Sequence, residues 1–446
     1  MFLRRRFYLL LLAVALITGA GFGFAPLYTV GRLLTLLLFI ATLADIVLLW
    51  HKWAITAERR LSTRFSNGDD NPVTIDVEST YPFPVRLEVI DELPFQFQRR
   101  ENTSHFSPLP PFALSSFHSS ASSSFRLFTF KTLLRPTRRG VYSFGRVLVY
   151  VSTRLGLVER RYRCAAPCDV SVYPSFQKLH QYELMAISRN LQEPGIKRVR
   201  RIGNNTEFEH IRDYLRGDDY RTVNWRATAR LSRPMVNVYQ DERSQQIFSV
   251  IDKGRVMQQV FDGMTLLDYA INAALALSYV AMRKEDKAGL ITFADKADTF
   301  VAADRRQSHI NKLLETLYAE QTDFGETDFS ALSVTVGRHI SHRSLLVLYT
   351  NFTGIVSLRR QLPFLQQINR HHRLLVVFFD DVELQEFIHA PICSEEERVQ
   401  HEVAEKYVNE KELIVTTLRQ YGILALQSTP TQLTPNVINR YLAIRP

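Results

Sequence analysis

Residues Thr206–Glu242 read TEFEHIRDYLRGDDYRTVNWRATARLSRPMVNVYQDE. The stretch lies between a region of short alternating runs and a region of longer, helix-interrupted apolar runs, so its reading divides the chain. Thr206 followed by Glu209 has capping-box spacing and predicts the start of a helix. Phe208, Ile211 and Leu215 fall at helical intervals, which gives that helix one apolar face. Gly217 stops it, and Asp218-Asp219 open a turn. Val223 and Ala227, with Trp225 and the Arg226/Arg230 pair, make a second short helical pattern that ends before Pro234. Met235–Gln240 then alternates like a strand. Two readings stay open for Asp218, Asp219, Arg221, Asn224, Trp225 and Arg230: a salt-bridged connector between domains, or a docking or catalytic platform.

On the amino-terminal side, Phe7 to Gly31 carries no charge, and Leu27 to Trp50 forms a second apolar run broken only by Arg32 and Asp45. Each is long enough to cross a bilayer. Gly19 to Pro26 supplies a break between them. Arg4, Arg5 and Arg6 precede the pair, and Lys52, Arg59 and Arg60 follow it, which by the positive-inside rule puts both ends in the cytoplasm. Trp50 and Trp53 suit an interfacial belt. A cleaved signal peptide would share the first run but not the second.

From about Glu58 to Pro174, short alternating runs at Val73–Val77, Val85–Val89, Phe125–Phe130 and Val147–Val151 predict an antiparallel sandwich. Ser115 to Ser124 reads as a loop or weak edge. Past the central stretch, strands are expected at Ile247–Ile251, Ala288–Phe293, Asp298–Ala302, Leu345–Tyr349, Leu374–Phe379 and Ile423–Leu426. Helices fill the gaps, including Asp262–Lys284, Leu358–Arg370 and Glu395–Arg419. Such continuous apolar strands between helices imply a mostly parallel sheet covered on both faces. The expected domains are therefore 1–55, a two-helix membrane anchor; 56–175, a β-sandwich; 176–243, a connector; and 244–446, an α/β domain.

The net charge of +10 fits an anionic membrane surface. The aromatic residues are not interleaved with one basic stripe as single-strand nucleic-acid binders require. Three cysteines, Cys164, Cys168 and Cys393, do not make a disulfide framework and fit a reducing compartment. No Walker A or G-x-S-x-G motif occurs. His401-Glu402-Val403-Ala404-Glu405 lacks the second histidine of a zincin helix.

The run Glu207-Phe208, Arg212, Tyr214, Gly217-Asp218-Asp219, Arg221, Asn224-Trp225, Ala229-Arg230 and Glu242 resembles the signature of the domain of unknown function 58 family. Arg138 to Tyr142 and Leu155-Gly156-Leu157 resemble that family's amino-terminal half, with Ser152-Thr153 where an acidic residue is usual. The resemblance implies a MoxR-type AAA+ ATPase as partner and a von Willebrand A-like carboxy-terminal domain. In such domains an Asp-x-Ser-x-Ser motif, a threonine and a second aspartate hold Mg²⁺. Here Asp252 is kept, Gly254 and Val256 replace the serines, Thr327 matches, and Asn351 replaces the second aspartate. Lost oxygen ligands and the added charge of Lys253 and Arg255 weaken a cation site. Arg255 is then a candidate for attracting acidic groups directly.

The leading expectation is a non-enzymatic, two-pass inner-membrane adaptor with cytoplasmic soluble domains. It works with a MoxR-type AAA+ ATPase on envelope-associated proteins, with partner contacts at Asp218, Asp219, Arg221, Asn224, Trp225, Arg230 and Arg255, and with no cofactor. One alternative is a cation-dependent ligand receptor using Asp252, Thr327 and Asn351 with Mg²⁺. Another is a metal-dependent hydrolase using Asp218, Asp219 and Arg221.

Overall fold

The computed structural model describes residues 2–23, 25–51, 54–83, 85–97, 126–184, 207–215, 217–240, 244–322, 324–352, 354–380, 382–391 and 394–445. Lys52, Trp53, Ser115–Ser124, Thr206, Glu242 and Cys393, all singled out in the sequence, lie outside them. The chain forms two compact units, Met1–Tyr173 and Pro174–Pro446.

In the first unit a two-residue strand, β1 (Phe2–Leu3), leads into helix α1 (Arg5–Ala20), a 3-10 turn at Gly21–Gly23 and helix α2 (Ala25–Trp50). Close packing at the connection needs glycine: a Cβ on Gly21 would meet Tyr28 N at 2.6 Å, and one on Gly31 would meet Thr18 at 3.1 Å. Pro26–Trp50 is long and apolar enough to cross a membrane. Nine strands follow: β2 (Ile55–Arg60), β3 (Arg64–Ser66), β4 (Asn71–Ser79), β5 (Arg86–Asp91), β6 (Arg126–Leu134), β7 (Gly140–Phe144), β8 (Val147–Ser152), β9 (Val158–Cys164) and β10 (Cys168–Tyr173). They form sheets of order β1-β9-β8-β5, β2-β4-β6 and β3-β10-β7. Among these described strands every pairing is antiparallel except that of β3 with β10. Alternation decides which side faces in: Val73, Ile75 and Val77 of β4 and Val147, Val149 and Val151 of β8 are buried, as a strand period of two requires.

Helix α2 is welded to this sandwich at its last turns. Asp45, fully buried, accepts from the backbone N–H groups of Leu157 (3.1 Å) and Val158 (3.0 Å) and from the Thr153 hydroxyl. Arg160 and the Tyr81 hydroxyl both donate to the Leu49 carbonyl, at 2.7 and 2.9 Å. Asp45 thus supplies from a distant helix the carboxylate that the Ser152–Val158 turn lacks in its own sequence.

The second unit corrects the opening of the central stretch. Glu207–Asp213 is a strand, β11, paired antiparallel with β12 (Met235–Gln240), not a helix. A register shift between Phe208 and His210 hides the strand period in the sequence, and cross-strand pairing outweighs the helical signal. The second helical pattern is present as α3 (Trp225–Leu231).

Beyond it, β13 (Gln246–Asp252), a tight hairpin of β14 (Val260–Phe261) and β15 (Met264–Thr265), α4 (Leu266–Arg283), β16 (Lys287–Phe293) and β17 (Ala297–Asp304) are followed by α5 (His309–Ala319), α6 (Phe329–His339) and β18 (Leu345–Tyr349). Then come α7 (Ile355–His371), β19 (Arg373–Phe379), α8 (Val382–His389), α9 (Glu395–Gln420), β20 (Leu424–Ser428) and α10 (Leu433–Ile444). Asp262 and Gly263, both at positive φ, close the hairpin in the manner of a two-residue turn.

The six-stranded sheet has the order β17-β16-β13-β18-β19-β20, parallel throughout except for edge strand β17. One face is covered by α4, α5 and α10, the other by α6, α7 and α9. All six strands expected from the apolar runs are present. The carboxyl ends of β13, β18 and β19 consequently open on one edge, where side chains are free of strand pairing.

Candidate functional site

Asp252 ends β13 and is fully buried at that edge. Its Oδ1 accepts from the Thr327 hydroxyl and the Gly254 N–H, both at 2.8 Å, and its Oδ2 accepts from the Thr350 hydroxyl at 2.6 Å. Burial pushes the Asp252 carboxyl above its usual range, against the pull of these donors. Asp252 and Thr327, paired in the sequence reading, are joined directly by the hydrogen bond of the Thr327 hydroxyl. Thr350 was missed; its one signal is a hydroxyl residue directly after an apolar strand.

Asn351 does not join this cluster by any hydrogen bond among the described residues. It lines a small cavity on another side, with Leu266, Phe379, Asp380, Lys411 and Pro430 among the walls.

This donor set is poor for Mg²⁺. The site offers one carboxylate, and each of its oxygens already accepts a hydroxyl proton. A Cβ at Gly254 would fall on the Thr327 Oγ1, so the serine that a metal motif needs there has no room while Thr327 holds Asp252. The neighbouring Lys253 turns away into a buried ion pair with Glu320 (2.8 Å) and a contact with Asp298 (2.7 Å). Burial pulls the Lys253 ammonium down, but the two carboxylates outweigh it and hold the group above its usual range. Arg255 is exposed, and its backbone N–H donates to the Gly325 carbonyl at 2.8 Å.

The β11–β12 arm divides its residues into two sets. Arg212 grips Asp218 through two parallel hydrogen bonds of 2.7 and 2.8 Å, and Asp218 also accepts from Leu215 N–H. That guanidinium holds the Asp218 carboxyl below the usual range. Asp219 caps the 3-10 turn Tyr220–Thr222 through the Arg221 N–H. Asn224 caps α3 through the Ala227 N–H and donates to Asn237. These three polar residues shape the arm.

The other set faces solvent. Trp225 is 75% exposed, Tyr220 71% and Leu215 63%. Arg221, Arg226 and Arg230 are exposed beside them, and Arg221 lies over the Tyr220 ring. Tyr220 carried no weight in the sequence reading, because only the backbone turn shows that it points outward with Trp225. An exposed cluster of Trp, Tyr and Arg has the composition of binding hot spots.

An apolar amino-terminal helical region, a β-sandwich and a mostly parallel sheet with a two-stranded arm define the class of protein. Residues 210–386 match the family described as "Protein of unknown function DUF58". YeaD of Bacillus subtilis, described as uncharacterized, is 23% identical over 329 residues, covering 70% of this chain and 75% of that protein. Rv1480 of Mycobacterium tuberculosis, also uncharacterized, is 26% identical over 186 residues, 41% of this chain and 58% of that protein. Among solved structures, the conserved hypothetical protein BatB from Bacteroides thetaiotaomicron aligns at 13% identity over 45% of this chain and 99% of that chain, with a TM-score of 0.28.

Proposed function

We propose that this protein is a membrane-anchored, non-enzymatic adaptor. It works with a MoxR-type AAA+ ATPase in assembling or remodelling envelope-associated proteins. The two apolar helices form a two-pass anchor with the soluble units on the cytoplasmic side, in keeping with Arg4, Arg5 and Arg6 at the start of α1 and Arg59 and Arg60 after α2. The carboxy-terminal sheet acts as a metal-free relative of von Willebrand A-like domains. The observation that carries the reading is the exposed Tyr220–Arg221–Trp225–Arg230 face, whose supporting acids are spent on holding the arm in shape. Its exposed cations suit an acidic surface on the ATPase, and the aromatic rings supply the apolar anchor.

The test is affinity purification of the full-length protein from detergent-solubilised membranes, with and without a non-hydrolysable ATP analogue. Enrichment of an AAA+ ATPase in the nucleotide-bound state is expected. Trp225→Ala should weaken it by about 2 kcal/mol, roughly thirtyfold. Recovery of no ATPase, or recovery unaltered in a Trp225→Ala/Arg221→Ala double variant, would sink the proposal.

A further inference from the structure

The turn at residues 153–157, between β8 and β9, is bonded to both apolar helices. The Arg4 N–H at the head of α1 donates to the Leu157 carbonyl at 3.0 Å. Asp45 of α2 takes the Thr153 hydroxyl and the Leu157 and Val158 N–H groups. Asp45 lies about 7.5 Å along the helix from Trp50, the last residue of α2, so the turn stands beside the helix pair and not beyond its end. Arg6 reaches over it: a Cβ on Gly156, at φ +64°, would sit 3.7 Å from Arg6 Nη1. Arg154 opens the same turn, and both arginines are exposed. Among the described residues neither makes an ion pair or a side-chain hydrogen bond. The carboxylates of Glu88 and Glu159 are taken by Arg4, at 3.6 and 3.5 Å. Leu155, next to Arg154, is 52% exposed.

We infer, resting on the two-helix anchor proposed above, that this turn is a binding site for an anionic phospholipid. Arg6 and Arg154 take the headgroup phosphate, and Leu155 enters the border of the acyl chains. Two guanidinium groups without counter-charge call for an anion, and their forked donors match phosphate oxygens. An exposed leucine beside them, level with helices that cross the bilayer, calls for hydrocarbon at the same place. A phospholipid offers charge and hydrocarbon together, whereas a soluble phosphate offers only the first. The site belongs to the first unit and holds whether or not an ATPase binds the β11–β12 arm.

The test is native mass spectrometry of the full-length protein released from detergent micelles that carry equal amounts of phosphatidylglycerol and phosphatidylcholine with matched acyl chains. Preferential retention of phosphatidylglycerol is expected. Arg6→Gln and Arg154→Gln should each lower its affinity about fivefold, and the double variant roughly thirtyfold. Arg163→Gln, an equal loss of charge about 17 Å along β9 from Val158, should leave the preference intact. Leu155→Ser should weaken retention of both lipids alike. Equal retention of the two lipids by the wild type, unchanged retention by Leu155→Ser, or a fall with Arg163→Gln as large as with Arg154→Gln would overturn the inference. Displacement of the lipid by glycerol phosphate at matching concentration would assign the arginines to a soluble anion and overturn it too. Release of the protein from membranes by alkaline carbonate would remove the anchor and the lipid site together. Retention in carbonate with no lipid preference would remove the lipid site alone.

Discussion

Lys253 and Glu320 form an ion pair of 2.8 Å directly behind Asp252, with both side chains almost fully buried. Glu320 also accepts from the Thr292 hydroxyl at 3.0 Å. Such a pair contributes little over an apolar replacement, but breaking one half strands the other charge. Lys253→Met is therefore expected to destabilise the protein by about 3–5 kcal/mol. The double variant Lys253→Met/Glu320→Gln should recover most of that loss in chemical denaturation of the full-length protein.

Gly254 is the position where a serine would begin to rebuild a metal motif. Gly254→Ser alone is expected to lower the melting temperature, because its Cβ would occupy the place of the Thr327 hydroxyl. Adding Thr327→Gly should restore part of it by clearing the space. Melting curves of the wild type with Mg²⁺ and with a chelator should superimpose; a Mg²⁺-dependent rise would favour the cation-dependent receptor.

Glu183 anchors the start of the second unit to α4. It accepts from the Tyr279 hydroxyl (2.9 Å), from Arg283 Nε (2.6 Å) and lies 3.2 Å from His180 Nδ1. Burial pushes its carboxyl up, but the Arg283 and Tyr279 hydrogen bonds together outweigh that and leave it lowered from 4.5. A carboxyl lowered on folding contributes stability that is complete above its unfolded value and is lost as pH falls through the folded one. Hydrogen exchange around residues 176–184 should thus stay protected above pH 4.5 and accelerate below it. Glu183→Gln should flatten that dependence.

Asp45 satisfies two backbone N–H groups and a hydroxyl at once. Asp45→Leu leaves the two N–H groups buried without acceptors and is expected to cost about 3 kcal/mol. Asp45→Asn, which keeps an acceptor oxygen, should cost less. Protease susceptibility of the sandwich in detergent reports both.

The six sheet strands of the second unit were legible because each is a continuous apolar run, which a strand buried on both faces requires. Most of the sandwich was harder to read: β9 and β10 break up their apolar residues with Arg160, Arg161, Arg163 and Asp169, which masks their alternation. The helix expected from Thr206 failed because Phe208 and Ile211 fall at helical spacing within a strand whose register shifts, and Leu215 lies beyond that strand's end. At the site, the retained Asp252 and Thr327 could be read from motif spacing. Thr350 and the roles of Asp218, Asp219 and Asn224 depend on which backbone N–H or hydroxyl each side chain reaches, a matter of tertiary geometry.

The grip of the sandwich on α2 also fixes a depth. At 1.5 Å per residue, the turns from Asp45 to Trp50 use up about 9 Å of helix on the sandwich side. Ala25 to Ala44 remains, about 30 Å, the thickness of a bilayer's hydrocarbon core. A helix pinned in this way cannot slide along its axis when the surrounding lipid thickens or thins. In the proposed anchor, any such mismatch is taken up by tilting of the whole first unit, with the sandwich as the lever that carries the tilt into the cytoplasm.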